Sequence, residues 1–371
     1  MRFLLSGFYF FYFAVVGIYI IFLPKVLSWI GYSGVEIGIV FATAPLVRFF
    51  VPFAFIKGLK LTHGIFVSAL ALMLGASFLF YITLHNFYAL VFSNILLGIA
   101  MSMILPYVEV VALHVISKER YGRVRLYGSV GFIIVALVLV KFLNTPQTAV
   151  HFLVFTVFFT ALFGYLISKR EKKQSSSLED ENGSMNIRSH WKLWVGLTLM
   201  QVSFGPFYNF FTIYETAHGI SMDMTVYLWS FGVIIEIIMF IFQGKLLQKN
   251  LLTLLQFTMF MTAVRWGLLF LFPSSLFVSF FTQSLHALSF ALFHSSAISY
   301  LFSLYKQKKL AQQLFLGITY GFGGFVGAMY SGYVYEYLPN YLFLSSALIA
   351  LIAFLFLRRE AKSPLQVISS R

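Results

Sequence analysis

The sequence predicts an all-α membrane protein: twelve transmembrane helices arranged as two pseudo-symmetric six-helix bundles. Three observations predict it. Of 371 residues, 60% are hydrophobic and the mean hydropathy is +0.87, far above what a water-soluble domain of this length carries. The apolar residues fall in long runs separated by short polar breaks, and many reach the roughly 20 residues that span about 30 Å of hydrocarbon. One long polar stretch, residues 169–192, divides these runs six and six. The runs lack the alternation of a β-barrel, so each is a helix that satisfies its own backbone.

In chain order the expected spans are residues 3–24, 35–56, 64–84, 87–116, 126–143 and 149–168, then 193–215, 224–243, 252–272, 276–303, 313–335 and 341–357. The first run is too long, and lacks the small-residue cleavage site, for a removable signal peptide, so it is expected to stay as the first helix. The domain organisation that follows is an N-terminal bundle over 1–168, a linker over 169–192, and a C-terminal bundle with a short tail over 193–371. Lys, Ser, Glu, Asp, Asn and Gly dominate the linker, a composition that cannot bury a core.

The formal charge of +14 invites a nucleic-acid reading, but the placement of the charges explains it better. With both termini in the cytoplasm, 22 of the 26 Lys and Arg lie on or near that side, among them Lys118, Arg120, Arg123, Arg125, Lys169 and Arg170. Lys25 and Lys141 lie outside, while Arg48 and Arg265 fall within spans. The positive-inside rule therefore predicts a multi-pass protein of the cell inner membrane, whose basicity needs no nucleic acid. Gly at 26, Phe at 46 and Tyr at 21 suit close helix packing and interfacial aromatic belts. The absence of cysteine rules out disulfides and thiolate chemistry.

The halves resemble each other. Gly31-Tyr32-Ser33 before the second span and Gly219-Ile220-Ser221 before the eighth are 188 positions apart, and the same offset carries Gly17 to Gly205 and Arg48 to Glu236. Such a repeat points to a binding site between the halves near the membrane midplane.

Ionisable side chains within spans cost about 2.5–3.5 kcal/mol on insertion scales, so each calls for a partner or a task. They are Arg48, Glu109, Glu236, Arg265, His286 and His294. Glu236 has no polar neighbour in Phe231–Phe240, so its partner comes from another helix, and Arg265 is the expected one. A carboxylate, an arginine and an imidazole on three helices form either a structural ion pair or a titratable site whose proton affinity depends on its partners. His286 and His294 are eight residues apart, about 80° around a helix, and fit one broad face. Their spacing, without nearby carboxylates, supplies no metal site, and no cofactor is implied.

Residues 121–132 read Tyr-Gly-Arg-Val-Arg-Leu-Tyr-Gly-Ser-Val-Gly-Phe. Gly122, Gly128 and Gly131 permit close backbone contact, and Arg125 and Phe132 project from nearly one face. Either these two form a ligand-binding stripe, or Arg123 and Arg125 are ordinary cytoplasmic positive charges. The run resembles the entry into the fifth helix of the phenylpropionate permease family within the major facilitator superfamily. More distantly, the chain is similar to lactose permease and its oligosaccharide:proton symporter relatives. Gly232 to Glu236, Arg265-Trp266 and Ser284 to Phe290 follow in the same order, so the resemblance covers nearly the whole chain.

The resemblance implies that Glu109 and Arg125 grip the substrate, with Phe132 where the symporters stack an aromatic ring on a sugar, and Arg48 is grouped with them as substrate-binding. It implies that Glu236, Arg265 and His286 serve proton coupling, with His294 grouped beside them. Two departures stand out. Ser289 occupies the place of a carboxylate involved in proton release, and the acidic-basic signature between the second and third helices is degraded around Gly58 and Thr62-His63-Gly64. The matching loop of the second half, Gly244 to Lys249, carries Gln248 in the acidic place.

The function implied is proton-coupled uptake of a small organic solute by alternating access, with a phenylpropionate-like aromatic acid, a sugar or a nucleoside as candidates. Proton-driven export of drugs or metabolites is the rival among transporters. An enzyme would need a nucleophile with a base, or a metal cluster; Ser284 and His286 have no orienting carboxylate near them in sequence. The expected partners are solute, protons and lipid, with the chain acting as a monomer.

Overall fold

The structure is a computed structural model that describes residues 1–56, 62–116, 118–170 and 186–360. Lys57, Gly58 and Lys60, most of the linker including Lys172 and Lys173, and the tail with Lys362 and Arg371 lie outside the described residues.

Twelve helical crossings are present among the described residues. In the first half α1 is Arg2–Trp29, α2 Gly34–Ile56, α3 His63–Thr83, α4 Phe87–Val115, α5 Lys118–Phe142 and α6 Pro146–Arg170. In the second half α7 comprises Trp191–Ser203 and Gly205–Ala217, followed by α8 Met222–Phe242, α9 Leu251–Leu271, α10 Leu276–Leu304, α11 Leu310–Tyr337 and α12 Leu342–Glu360. Eleven of these are uninterrupted helices long and apolar enough to cross a membrane. The other, α7, breaks at Phe204 because Pro206 lacks an N–H and its ring displaces the carbonyl one turn back.

Helix starts follow local chemistry. The side chains of Thr62, Asn86, Ser221, Asn250 and Ser275 each accept a hydrogen bond from a backbone N–H of the first turn they precede. Helix α5 begins at Lys118 rather than at 126, so the glycine-rich run lies inside it. Basic residues are good helix formers, and the helix continues past the hydrocarbon edge.

The internal repeat is visible in the backbone. Gly31 and Gly219 are the positive-φ residues among those described, at 99° and 87°, a region where glycine alone escapes a Cβ clash. The starts of α2 and α8, and of α3 and α9, keep the offset of 188. Arg48 and Glu236 consequently occupy the same register in α2 and α8.

The halves meet at the membrane end opposite the termini. Lys25 Nζ donates to Thr216 Oγ1 at 2.9 Å, the Gly34 N–H donates to the Glu336 carboxylate, and Lys141 pairs with Asp223. Helices α2 and α11 touch backbone to backbone at Gly38, where an added Cβ would lie 2.9 Å from Gly332 Cα. This end is closed.

Candidate functional site

Three groups of polar side chains stand inside the spans. The first joins α8, α9 and α10. Arg265 is fully buried, its guanidinium stacked 4.4 Å from the ring centres of both Phe207 and Trp266. Nη1 donates to His286 Nδ1 and to Ser289 Oγ, each at 2.9 Å, and Nη2 donates to Gln283 Oε1 at 3.1 Å. His286 Nε2 faces Glu236 Oε2 at 3.4 Å.

These contacts correct the expected pairing of Glu236 with Arg265: the imidazole stands between them. They also fix its tautomer. A guanidinium offers only donors, so Nδ1 carries the lone pair and Nε2 carries the hydrogen that points at Glu236. Ser289 takes part as an acceptor for Arg265, which explains how the site holds together without the carboxylate of the symporters.

The sequence reading grouped His294 with the proton-coupling residues. It hydrogen-bonds Tyr320 at 2.8 Å and makes no contact with Glu236 or Arg265. It does share a face with His286, because Phe290 is stacked between the two rings at 5.3 and 6.4 Å. The π-helical turn Ala287–Leu292 widens the helix here, and such turns often occur at functional positions.

The second group joins α4 and α5. Arg125 Nε lies 3.9 Å from Glu109 Oε1, with side chains 32% and 38% exposed. Phe132 does not stand open beside them. It is buried, and its ring packs near Gly17 of α1. The aromatic surfaces at Arg125 come instead from α1: Phe13 and Tyr9 lie 4.0 and 5.4 Å from the guanidinium carbon. This substitution was hidden in the sequence because it depends on the crossing of α1 and α5, where Gly128 and Gly131 meet Phe13 and Phe10. Helices α5 and α8, which carry Arg125 and Glu236, pack against each other across the halves, which links the first two groups.

The third group centres on Arg48, which is exposed and lies on α2 beside Pro45 and Phe49, where these pack against Gly324 and Gly321 of α11. Behind it the buried Asn94 ties α1, α2 and α4 together through Tyr19 Oη, Val40 O and Thr43 Oγ1.

Sequence reading passed over Glu215, a fully buried carboxylate near the end of α7 that accepts from Ser279 Oγ at 3.1 Å. The expected span ended on that residue, so it read as a boundary charge. No group of three or more His, Cys, Asp or Glu positioned to hold a metal occurs among the described residues.

Two helical halves, repeat-related and enclosing charged groups at mid-membrane, define a secondary transporter of the major facilitator fold. The chain belongs to the MFS_1 like family, whose profile matches residues 3–345. It is 28% identical over 246 residues to a probable 3-phenylpropionic acid transporter of Escherichia coli (strain K12), covering 64% of each chain. It is 23% identical to the uncharacterized transporter YwbF of Bacillus subtilis (strain 168), covering 90% of this chain and 86% of that one. Among solved structures, the nucleoside transporter NupG superposes with a TM-score of 0.79 at 16% identity, over 98% of this chain and 99% of that one.

Proposed function

We propose that this transporter moves a small organic solute together with a proton, inward across the cell inner membrane, by alternating access. Both termini face the cytoplasm in this reading, and the chain works as a monomer. The observation that carries it is the order Arg265, His286, Glu236. A proton added to the imidazole would set an Nδ1–H against the Arg265 Nη1–H at 2.9 Å. A proton added to Glu236 leaves the whole chain of hydrogen bonds intact, because the second carboxyl oxygen takes it. Glu236 is therefore the proton carrier, and His286 is a neutral bridge holding it in register with Arg265.

Glu109 and Arg125 would bind the polar end of the solute, with Phe13 and Tyr9 beside its flat part. Because α5 packs on α8, a solute that displaces Arg125 would change the electrostatics of the proton site, and the coupling is reciprocal. An aromatic carboxylate suits an arginine between two rings, and the likeness to a probable 3-phenylpropionic acid transporter supports the same class. A sugar or nucleoside is the second reading, favoured by Glu109 beside Arg125, which together offer an acceptor and a donor to hydroxyl groups.

The test is uptake into proteoliposomes under an imposed pH gradient. Accumulation driven by acid outside, with alkalinisation of the medium on adding solute, is expected. Solute movement that ignores the pH gradient would refute proton coupling, and accumulation only in inverted vesicles would mark an exporter.

A further inference from the structure

We infer that Arg48, together with Arg125, holds the carboxylate of a monoanionic substrate, which crosses the membrane with the proton on Glu236 as an electroneutral one-to-one pair. The inference rests on the proton coupling proposed above and adds the substrate charge, its anchor and the stoichiometry.

The first ground is partnership. Away from the cytoplasmic helix ends, the described cations are Lys25, Arg48, Arg125, Lys141 and Arg265. Lys25 is bonded to Thr216, Arg125 to Glu109, Lys141 to Asp223, and Arg265 to three neutral acceptors. Arg48 makes no hydrogen bond or ion pair with any described residue, although it is exposed and stands within α2, two turns from its end. An unpaired guanidinium at such depth is unfavourable unless a partner arrives.

The second ground is what surrounds it. Pro45, Phe49 and Pro52 of the same stretch of α2 pack against Gly324, Gly321 and Gly317 of α11, so Arg48 lies at the seam between the halves. Tyr19 Oη accepts from Asn94 Nδ2 at 2.8 Å, and its own O–H has no acceptor among the described residues. A planar guanidinium with a hydroxyl donor nearby is suited to a carboxylate, which takes several hydrogen bonds at once.

The third ground is charge. The internal repeat places Arg48 and Glu236 at equivalent positions of α2 and α8. With both carboxylates ionised and His286 neutral, Arg48, Arg125 and Arg265 outnumber Glu109 and Glu236 by one. Protonating Glu236 adds a positive charge to this low-dielectric region, and a bound monoanion removes it. Proton and anion therefore favour each other's binding, and a dianion or a neutral solute would leave the charge changed.

The experiment uses purified protein in proteoliposomes, with 3-phenylpropionate and its neutral amide as probes and protein-free vesicles subtracted. The expected result is accumulation of the acid under acid-outside conditions, at a rate that a potassium–valinomycin potential of either sign changes by less than about twofold. Arg48→Gln is expected to raise the half-saturating concentration of the acid at least about tenfold, with Arg48→Lys intermediate.

Three results would overturn the inference. One is an unchanged half-saturation in folded Arg48→Gln. Another is acceleration by an inside-negative potential, which means that net positive charge moves with the solute. The third is pH-driven accumulation of the amide or a nucleoside in preference to the acid, which would leave proton coupling standing while removing the anion site. If the wild type instead carries the acid without regard to the pH gradient, the coupling itself fails. The potential test uses wild-type protein, so it decides even if an Arg48 variant does not fold.

Discussion

Replacing His286 separates a bridging imidazole from a proton-carrying one. In His286→Leu, Arg265 Nη1 loses one acceptor and Glu236 loses its donor, the contacts at 2.9 and 3.4 Å. Hydrogen bonds to charged groups contribute about 1.5–3 kcal/mol each, so two lost together cost about 3–6 kcal/mol at the upper end. Interhelical hydrogen bonds in bilayers average about 0.6 kcal/mol, which sets a floor of about 1 kcal/mol. His286→Gln should recover most of this, because an amide can turn its oxygen to Arg265 and its NH2 to Glu236. The assay is solute-driven alkalinisation in proteoliposomes, with the thermal midpoint of purified protein read in parallel. His286→Gln is expected to keep measurable proton uptake, while His286→Leu loses it and melts lower. Proton uptake abolished in a stable His286→Gln, or Leu and Gln variants that behave alike, would refute the bridge.

Two further predictions follow from the other contacts. Arg125→Lys and Glu109→Gln should each weaken solute binding by about tenfold or more in a thermal-shift titration, since lysine cannot reproduce a guanidinium's two-pronged bonding or its stacking on Phe13 and Tyr9; saturation curves identical to wild type would contradict this. Lys141→Met removes an ion pair whose side chains are 57% and 45% exposed, so it should leave the thermal midpoint nearly unchanged and raise the labelling of a cysteine placed at the closed end by a few-fold at most.

The twelve crossings and the division into halves were legible because each depends on a local property: an apolar run, a capping residue, or a glycine turn repeated 188 positions later. The break in α7 was written in Pro206 but masked by the apolar residues on both sides. Which charges meet was harder to read. Glu236 and Arg265 were recognisable as needing partners, yet their separation by His286 depends on the packing of α8, α9 and α10. Phe132 and Arg125 share a face in sequence, but the approach of α1 covers the ring and brings Phe13 and Tyr9 to the guanidinium instead. Glu215 was missed because a carboxylate at the end of an apolar run looks like a boundary. Its burial follows from α10 presenting Ser279 to it.

Under the proposed mechanism, the division of labour among these residues lets a site lacking a carboxylate at Ser289 couple to protons. Arg265 is held by neutral acceptors and aromatic faces, so its charge is fixed rather than switched. The variable charges in that mechanism would be Glu236, gaining or losing a proton, and the solute, entering beside Arg48 and Arg125.

Glu236→Gln tests the account most directly, because it makes the protonated form permanent while preserving shape. Preloaded proteoliposomes should still exchange labelled for unlabelled solute at a rate near that of wild type, whereas accumulation against a gradient and solute-driven alkalinisation should be lost. If Glu236→Gln still concentrates solute with normal proton uptake, the proton travels on another group and the central claim is wrong.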